Sequence, residues 1–247
     1  MPSPRTNHPG AAMAWLLPDA GAQVLDLCTG TGAFTADLVR CGHRVFGITA
    51  DARVAQQVAA RATGATVIRA SADRLPFRPR WFDVVTIAGQ RARSAEAFPE
   101  AVRVLRPGGH LGVLRTTRDD TVPWVRRLAK LLQSYDPTAM TTATSGPSQE
   151  EVLSGGWFIA SETKAFRHWV PIDRPGLLAM VEGRPRIRQL PEADRQDLIA
   201  KVTGLFDDIA RGHEVMLPYR VECRKAWPDP ERQAIEPSIT VGIHMRW

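Results

Sequence analysis

The segment Val24-Leu25-Asp26-Leu27-Cys28-Thr29-Gly30-Thr31-Gly32 ends a buried-strand pattern at two closely spaced glycines, and a helical pattern begins at Phe34. Apolar runs of this length suit a strand covered on both faces. Glycine turns the chain at positive φ and lets a ligand approach where a Cβ would collide. The segment therefore predicts a strand–turn–helix unit with backbone open to a cofactor. The plainer reading is a tight turn without a ligand. Asp26 stands inside the apolar run, where an ionised carboxylate needs partners because its desolvation is costly. Loop amides would supply them, or a cationic or hydroxyl-bearing ligand group; a surface acid at a strand end is the alternative.

The pattern around this turn alternates. A short amphipathic helix is expected over Gly10–Leu17. Strands are expected over Gln23–Leu27, Arg44–Ile48, Thr66–Arg69, Phe82–Ala88 and 110–115. Helices are expected over Phe34–Arg40, Arg53–Arg61 and Ala97–Leu105, the first ended by Gly42 in a left-handed cap and the last by Pro107-Gly108-Gly109. Such alternation implies an α/β fold, a parallel sheet with helices on both faces. Ligands of such sheets lie beyond the carboxyl ends of the strands, where the glycine turn falls. The second half is less regular. It predicts a helix over Val122–Leu132, a loop or cover over 136–150, strands over Phe166–Val170 and Val215–Cys223, and a long amphipathic helix over Glu192–Ala210. Trp227 to Trp247 matches no firm element.

With 247 residues, 44% of them hydrophobic, the chain can bury one large core or two small ones. No apolar run is long enough to span a bilayer, and Met1 to Gly10 does not fit a secretory signal. Three scattered cysteines, Cys28, Cys41 and Cys223, form no CxxC pair, so no zinc or other metal site is predicted and a reducing, cytoplasmic setting is expected. The net charge of +6 comes mostly from scattered arginines. Two clusters, Arg126/Arg127/Lys130 and Arg184/Arg186/Arg188, read either as solvated faces or as attraction for an anionic partner. No basic tail with interleaved aromatics argues for nucleic acid. The glycine turn carries Thr35 where a dinucleotide fingerprint has its third glycine, and it lacks the Gly-Lys-Ser/Thr of a triphosphate loop.

These motifs together resemble the class I S-adenosylmethionine-dependent methyltransferases. More narrowly they are similar to the type 11 group, which includes the ubiquinone/menaquinone and trans-aconitate methyltransferases. The resemblance lies in VLDLCTGTG at 24–32, SADRLPF at 71–77, FDVV at 82–85 and EAVRVLRPGGHLGVL at 100–114. TRDDTVPWVRRL at 117–128 and LPYRVECRKA at 217–226 look like an actinobacterial subgroup. The resemblance implies a Rossmann-like seven-stranded sheet, ordered 3-2-1-4-5-7-6, with the last strand antiparallel. It implies a single domain over 1–226, with 136–160 as substrate cover and 227–247 as a tail of unassigned role. It implies S-adenosyl-L-methionine as cofactor, with Asp26 near the methionine ammonium and Cys28, Gly30 and Gly32 along the methionine and ribose. Ser71 and Ala72 would flank adenine, and Ala88 would border the cofactor at the end of the fourth strand. Leu75 and Phe77 would support the loop.

Departures from the family pattern matter. Thr49 stands where relatives carry the acid that grips the ribose hydroxyls, and Asp51 follows two residues later. Asp51 either reaches the ribose or only caps the next helix. After the fourth strand, Gly89-Gln90-Arg91-Ala92-Arg93-Ser94 keeps the glutamine but not the His-Trp pair of close relatives. Gln90, Arg91, Arg93 and Trp157 are the candidate acceptor-binding residues; the two arginines either clamp an anion or solvate the loop. Direct displacement at a sulfonium methyl needs orientation more than a protein nucleophile. His8 is a candidate base, and Arg118, beside Asp119, either positions a substrate or pairs with its neighbour. The expected function is methyl transfer to an O, N or C atom of a small molecule. A fold-retaining binding or scaffold protein is the first alternative and a nicotinamide-dependent oxidoreductase the second. A homodimer remains open.

Overall fold

A computed structural model describes residues 7–27, 30–88, 96–140, 149–210 and 212–234. The chain runs α1 (Gly10–Leu16), β1 (Gln23–Leu27), α2 (Ala33–Arg40), β2 (Arg44–Thr49), α3 (Ala52–Arg61), β3 (Thr66–Arg69) and β4 (Phe82–Ala88). It continues through α4 (Ala97–Val104), β5 (Leu105–Arg118), α5 (Pro123–Gln133), α6 (Gln149–Ser154) and β6 (Phe158–Asp173). It ends with α7 (Arg174–Glu182), α8 (Pro185–Arg188), α9 (Glu192–Ile209), β7 (Glu214–Pro228) and α10 (Pro230–Ala234). The seven strands form one sheet in the order β3-β2-β1-β4-β5-β7-β6. The β3–β2, β2–β1, β1–β4 and β4–β5 pairs are parallel. β7 runs the other way: Asp119 N–H donates to Pro218 O at 3.0 Å and the Thr117 hydroxyl to Arg220 O at 3.4 Å, so a step forward along β5 meets a step back along β7. The sheet is therefore the mixed, Rossmann-like methyltransferase arrangement expected from the sequence.

The chain divides into two compact units. Of the described residues, those within 1–114, 146–164 and 223–247 make up unit 1, and those within 115–145 and 165–222 make up unit 2. In unit 1, Leu25, Leu27, Ile48, Val85, Ile87, Leu111 and Val113 form the sheet's apolar centre, closed by Phe98, Val102 and Phe158. Phe46, Phe77, Trp81 and Phe82 stack beside it with ring centres 4.9–5.8 Å apart. Unit 2 has its own core, in which Leu128 and Leu132 of α5, Leu177 and Val181 of α7, and Leu198, Val202, Leu205 and Phe206 of α9 are buried together. Each such side chain contributes about 1.5–3 kcal/mol by leaving water.

The two downstream sequence motifs fasten one another. Arg106 donates to Asp83 Oδ1 at 2.6 Å, while Gln23 N–H donates to Asp83 Oδ2 at 2.8 Å. The register of β4 against β5 slips at this point, between Phe82 and Val84. A Cβ on Gly109 would stand 2.8 Å from Asp83 O, so the close approach of the two strands requires glycine there. β5 thus begins at Leu105, before the glycines, rather than after them as the turn chemistry suggests. Among the described residues, no helix is long and apolar enough to cross a membrane.

Candidate functional site

Asp26 sits at the carboxyl end of β1, flanked in register by Gly47 on β2 and Thr86 on β4. Its side chain is 1% exposed. Thr35 Oγ1, on α2, donates to Asp26 Oδ2 at 2.6 Å, and Thr86 Oγ1 lies 3.3 Å from both Asp26 Oδ1 and Leu25 O. Burial pushes the carboxyl up to about 7, and the two hydroxyls only partly oppose it. The acid is thus held by neutral donors in a place where a nearby cation would favour its ionised form. Thr35 is the residue that replaces the third fingerprint glycine, so that substitution supplies a hydrogen bond to the buried acid.

Gly30 and Gly32 carry φ of +54° and +77°, which non-glycine residues adopt at a cost. Gly32 is the N-cap of α2, and a Cβ there would lie 3.0 Å from Val58 Cα on α3. Its bareness therefore lets the turn close against α3, where Gly32 itself is buried. An open depression of about 510 Å³ lies beside the turn, lined by Thr31, Gln57, Ala60 and Arg61. It lies along α3 and includes none of Asp26, Thr49 or Ser71, so the strand-end chemistry is the better guide to the site.

At the end of β2, Thr49 O accepts Ala70 N–H at 3.1 Å, and Thr49 Oγ1 accepts Asp51 N–H at 3.3 Å. Asp51 Oδ1 accepts from Arg53 N at 2.8 Å and Val54 N at 3.2 Å, capping α3. Ser71 and Arg74 form a short antiparallel bridge that opens the next loop, with Ala72 packed partly against the core of unit 1. Leu75 and Phe77 are buried in that core and support the loop. Ala88 ends β4 opposite Leu114. Cys28, Gln90, Arg91 and Arg93 lie outside the described residues.

A pair that sequence reasoning missed holds this loop. On α4, Arg103 Nε and Nη2 donate to the two oxygens of Glu100 at 2.5 and 2.6 Å. Arg103 also donates to Phe77 O at 2.7 Å and Leu75 O at 3.0 Å, while Glu100 accepts Leu75 N–H at 2.7 Å. The signal was available: an acid and a base three residues apart on one helix face. The strand-like loop they grip was not.

His8 rests on α2. Its Nδ1 is 2.7 Å from Asp37 Oδ2, and its ring meets Phe34 edge-on at 5.3 Å. Asp37 also accepts His8 N–H at 3.0 Å and the Asn7 backbone and side-chain N–H groups at 3.1 and 2.9 Å, and it pairs with Arg40. Burial favours the neutral acid, yet the hydrogen bonds from His8 and Asn7 outweigh it and hold Asp37 below the usual carboxylate range. Trp157 packs partly against the core of unit 1, with the Arg232 guanidinium 4.7 Å above its ring. Arg118 belongs to unit 2 and does not pair with Asp119, whose Oδ1 accepts the Thr121 hydroxyl at 2.5 Å and backbone N–H at 3.1 Å. Among the described residues, no group of three or more His, Cys, Asp or Glu could hold a metal ion.

Comparison with known proteins places this geometry. A family model for the methyltransferase domain matches residues 24–109. An uncharacterized methyltransferase of Mycobacterium tuberculosis strain H37Rv is 35% identical over 130 residues, 52% of this chain and 54% of its own length. The ubiquinone/menaquinone biosynthesis C-methyltransferase UbiE of Roseobacter denitrificans is 40% identical over 115 residues, 42% of this chain and 46% of its own. The chain spans about half the length of these curated relatives. A solved structure of a candidate type II methyltransferase from Anaeromyxobacter dehalogenans superimposes with a TM-score of 0.61 at 19% identity, over 91% of this chain and 97% of the other, and shows the shared fold. Residues 24–109 thus match a methyltransferase domain, and about half of the chain is similar to methyltransferases, mycobacterial ones among them.

Proposed function

We propose that this chain is an S-adenosyl-L-methionine-dependent methyltransferase of the type 11 group, moving a methyl group to an O, N or C atom of a small molecule. The observation that carries this reading is Asp26: a buried acid, titrating near 7, at the end of the central strand and directly before the glycine turn. The donor set fits a cofactor with a cationic end. Asp26 would hold the methionine ammonium, releasing its proton as the cation arrives, and Thr35 and Thr86 would keep its oxygens in place. Gly30 and Gly32 would offer main chain to the methionine and ribose, and Ser71, Ala72 and Ala88 would border the nucleoside. When bound, the cofactor supplies an electrophilic sulfonium methyl group. The protein's task is then alignment and exclusion of water. His8, oriented by Asp37, would take a proton from an acceptor hydroxyl or acidic carbon; a carboxylate acceptor needs no base. Covering the acceptor with 136–160 belongs to the same proposal.

A second reading, a binding protein that keeps the fold without tight cofactor binding, is favoured by Asp51. One of its oxygens is engaged in capping α3, where an acid gripping both ribose hydroxyls is expected. Charge-assisted bonds of that kind contribute about 1.5–3 kcal/mol each. Calorimetric titration with S-adenosylmethionine and S-adenosylhomocysteine decides between the two. Micromolar binding by the wild type, lost in Asp26→Ala with the fold retained, supports the enzyme. No binding at millimolar concentration overturns it in favour of the second reading.

A further inference from the structure

Among the described residues of unit 2, Arg115, Arg118 and Arg184 each have a buried Nε without a hydrogen-bond partner and no carboxylate in ion-pair contact; Arg118 and Arg184 also act on each other through their charges. Arg118, the last residue of β5, donates to the thioether sulfurs of Met140 and, at 3.3 Å, Met180, and stands 5.8 Å from the Tyr219 ring centre. Its Nε is buried without a hydrogen-bond partner. Arg184, the N-cap of α8 and four residues beyond Met180, has its Nε in the same condition. Among the described residues, neither forms an ion pair. The acid facing Arg184 is Asp136, which is engaged by Thr138 at 2.6 and 3.0 Å and lies 3.7 Å from Arg186.

The basic cluster seen in the sequence is thus divided three ways. Arg188 bonds to the carbonyls of Glu182 and Gly183, Arg186 faces Asp136, and Arg184 has its Nε buried. Burial, and next the charge of Arg118, push the Arg184 guanidinium below its ordinary pKa, with Asp136 opposing. Two like charges that repel in a partly desolvated place are unfavourable, and Asp136, the smallest of the three influences on Arg184, offsets them only in part. Thioether sulfur is a weak acceptor and provides no counter-charge. Met140 is also held at φ +59°, a conformation that non-glycine residues rarely keep unless their surroundings enforce it.

We propose that Arg118 and Arg184 form a binding site for a small organic carboxylate, its oxygens bridging the two guanidinium groups and its apolar body lying on Met140, Met180 and Tyr219. Arginine forks match a carboxylate in geometry and charge. Unbranched methionines adapt to an apolar body of irregular shape. Identifying this anion as the methyl acceptor rests on the proposed function; the binding site itself does not.

The test is titration of the full chain, without cofactor, at constant ionic strength. The probes are benzoate, hexanoate, neutral benzamide and inorganic phosphate, read by calorimetry and by the shift in melting temperature. Benzoate or hexanoate is expected to bind and stabilise the wild type, with benzamide at least tenfold weaker. Arg118→Met and Arg184→Met are each expected to weaken carboxylate binding tenfold or more, with Arg184→Lys intermediate. Without ligand, Arg184→Met is expected to melt no lower than the wild type, because a repelling charge has gone. Equal binding of benzamide and benzoate, stabilisation by phosphate alone, or carboxylate binding unchanged in both methionine variants would overturn the proposal. So would a marked loss of unliganded stability in Arg184→Met, which would make the cation structural. Failure of cofactor binding with intact carboxylate binding would overturn only the methyltransferase reading.

Discussion

The Thr35 hydroxyl donates to Asp26 Oδ2 at 2.6 Å, so the acid that ends β1 is braced by the helix that follows the glycine turn. This contact joins the two sides of the turn through a group whose protonation changes near neutrality.

Asp26 titrates near 7 in the folded chain against an ordinary 3.8. Between those values the folded state keeps a proton that the unfolded state has lost. Stability from this group therefore falls as pH rises from about 4 to about 7 and is level above that. Asp26→Asn should remove the slope. The variant is expected to match the wild type near pH 4 and to exceed it at pH 8 by at most about 4 kcal/mol. Urea unfolding at both pH values reads this, and a wild type-to-variant difference independent of pH would refute it. Affinity for S-adenosylhomocysteine should rise between pH 6 and 8, since its ammonium favours the ionised acid.

Arg103 joins α4 to the 75–77 loop through four hydrogen bonds, two to Glu100 and two to carbonyls. Arg103→Ala should leave Glu100 without its cation, with only Leu75 N–H still donating to it, and deprive both carbonyls of the Arg103 donor in a mostly buried place, at a cost of about 2–4 kcal/mol. It should also weaken S-adenosylhomocysteine binding about tenfold, because the loop begins at Ser71. Arg103→Lys should recover part of the stability but less of the affinity. Equal affinity in all three proteins would show that the loop does not form the nucleoside wall.

Adjacent glycines should respond differently to alanine. Gly108 has φ +79° with nothing near its Cβ position, whereas the Cβ position of Gly109 is 2.8 Å from Asp83 O and 3.0 Å from Arg106 O. Gly108→Ala is expected to cost about 1–2 kcal/mol, from backbone conformation alone. Gly109, whose φ is not positive, escapes that cost, but Gly109→Ala should cost about 1–3 kcal/mol by overpacking and fall at the upper end, because the two backbone oxygens cannot step aside. Denaturant midpoints give the order, and the reverse order would contradict the strand geometry.

Asp37 anchors Asn7 and His8 to α2. Its lowered pKa means that its stabilising contribution is present above the unfolded carboxylate value and is lost as pH falls through the folded one. Asp37→Asn should therefore lower stability at pH 7 and show a weaker decline below pH 4 than the wild type. It should also speed proteolytic cleavage between residues 7 and 16. Unchanged cleavage would show that α1 holds this segment unaided.

The bounds of β1 and β4 were legible in the sequence to the residue, because buried central strands are continuous apolar runs between turn residues, and those of β3, an edge strand only partly buried, were read as well from its short Thr-Val-Ile-Arg run. β6 was expected over 166–170 and extends over Phe158–Asp173. It is the terminal strand of the sheet, and most of its side chains are partly or fully exposed, so no apolar alternation marks its length. α7 was missed because Asp173-Arg174-Pro175-Gly176 reads as a turn. Asp173 instead accepts Gly176 N–H at 2.8 Å as an N-cap, and Pro175 occupies the first turn, where its missing donor costs nothing. β7 and α10 likewise occupy Trp227 to Ala234, within a tail that showed no pattern. Asp26 was conspicuous as an acid in an apolar run. Asp51 was ambiguous, because a helix cap and a ligand group use the same side chain. The burial of Arg184 Nε had no local signature, because its neighbours Arg186 and Arg188 have the same chemistry and face other partners.

Asp83 has a consequence for anyone who wishes to redesign this chain. It gathers Gln23, Arg106 and the glycine bend at 108–109 at the end of the strands remote from Asp26 and Ala88. Random libraries that vary these positions independently would mostly sample broken fasteners. Diversity introduced at the far rim, with this knot left untouched, changes what the protein meets without reopening the question of whether it folds.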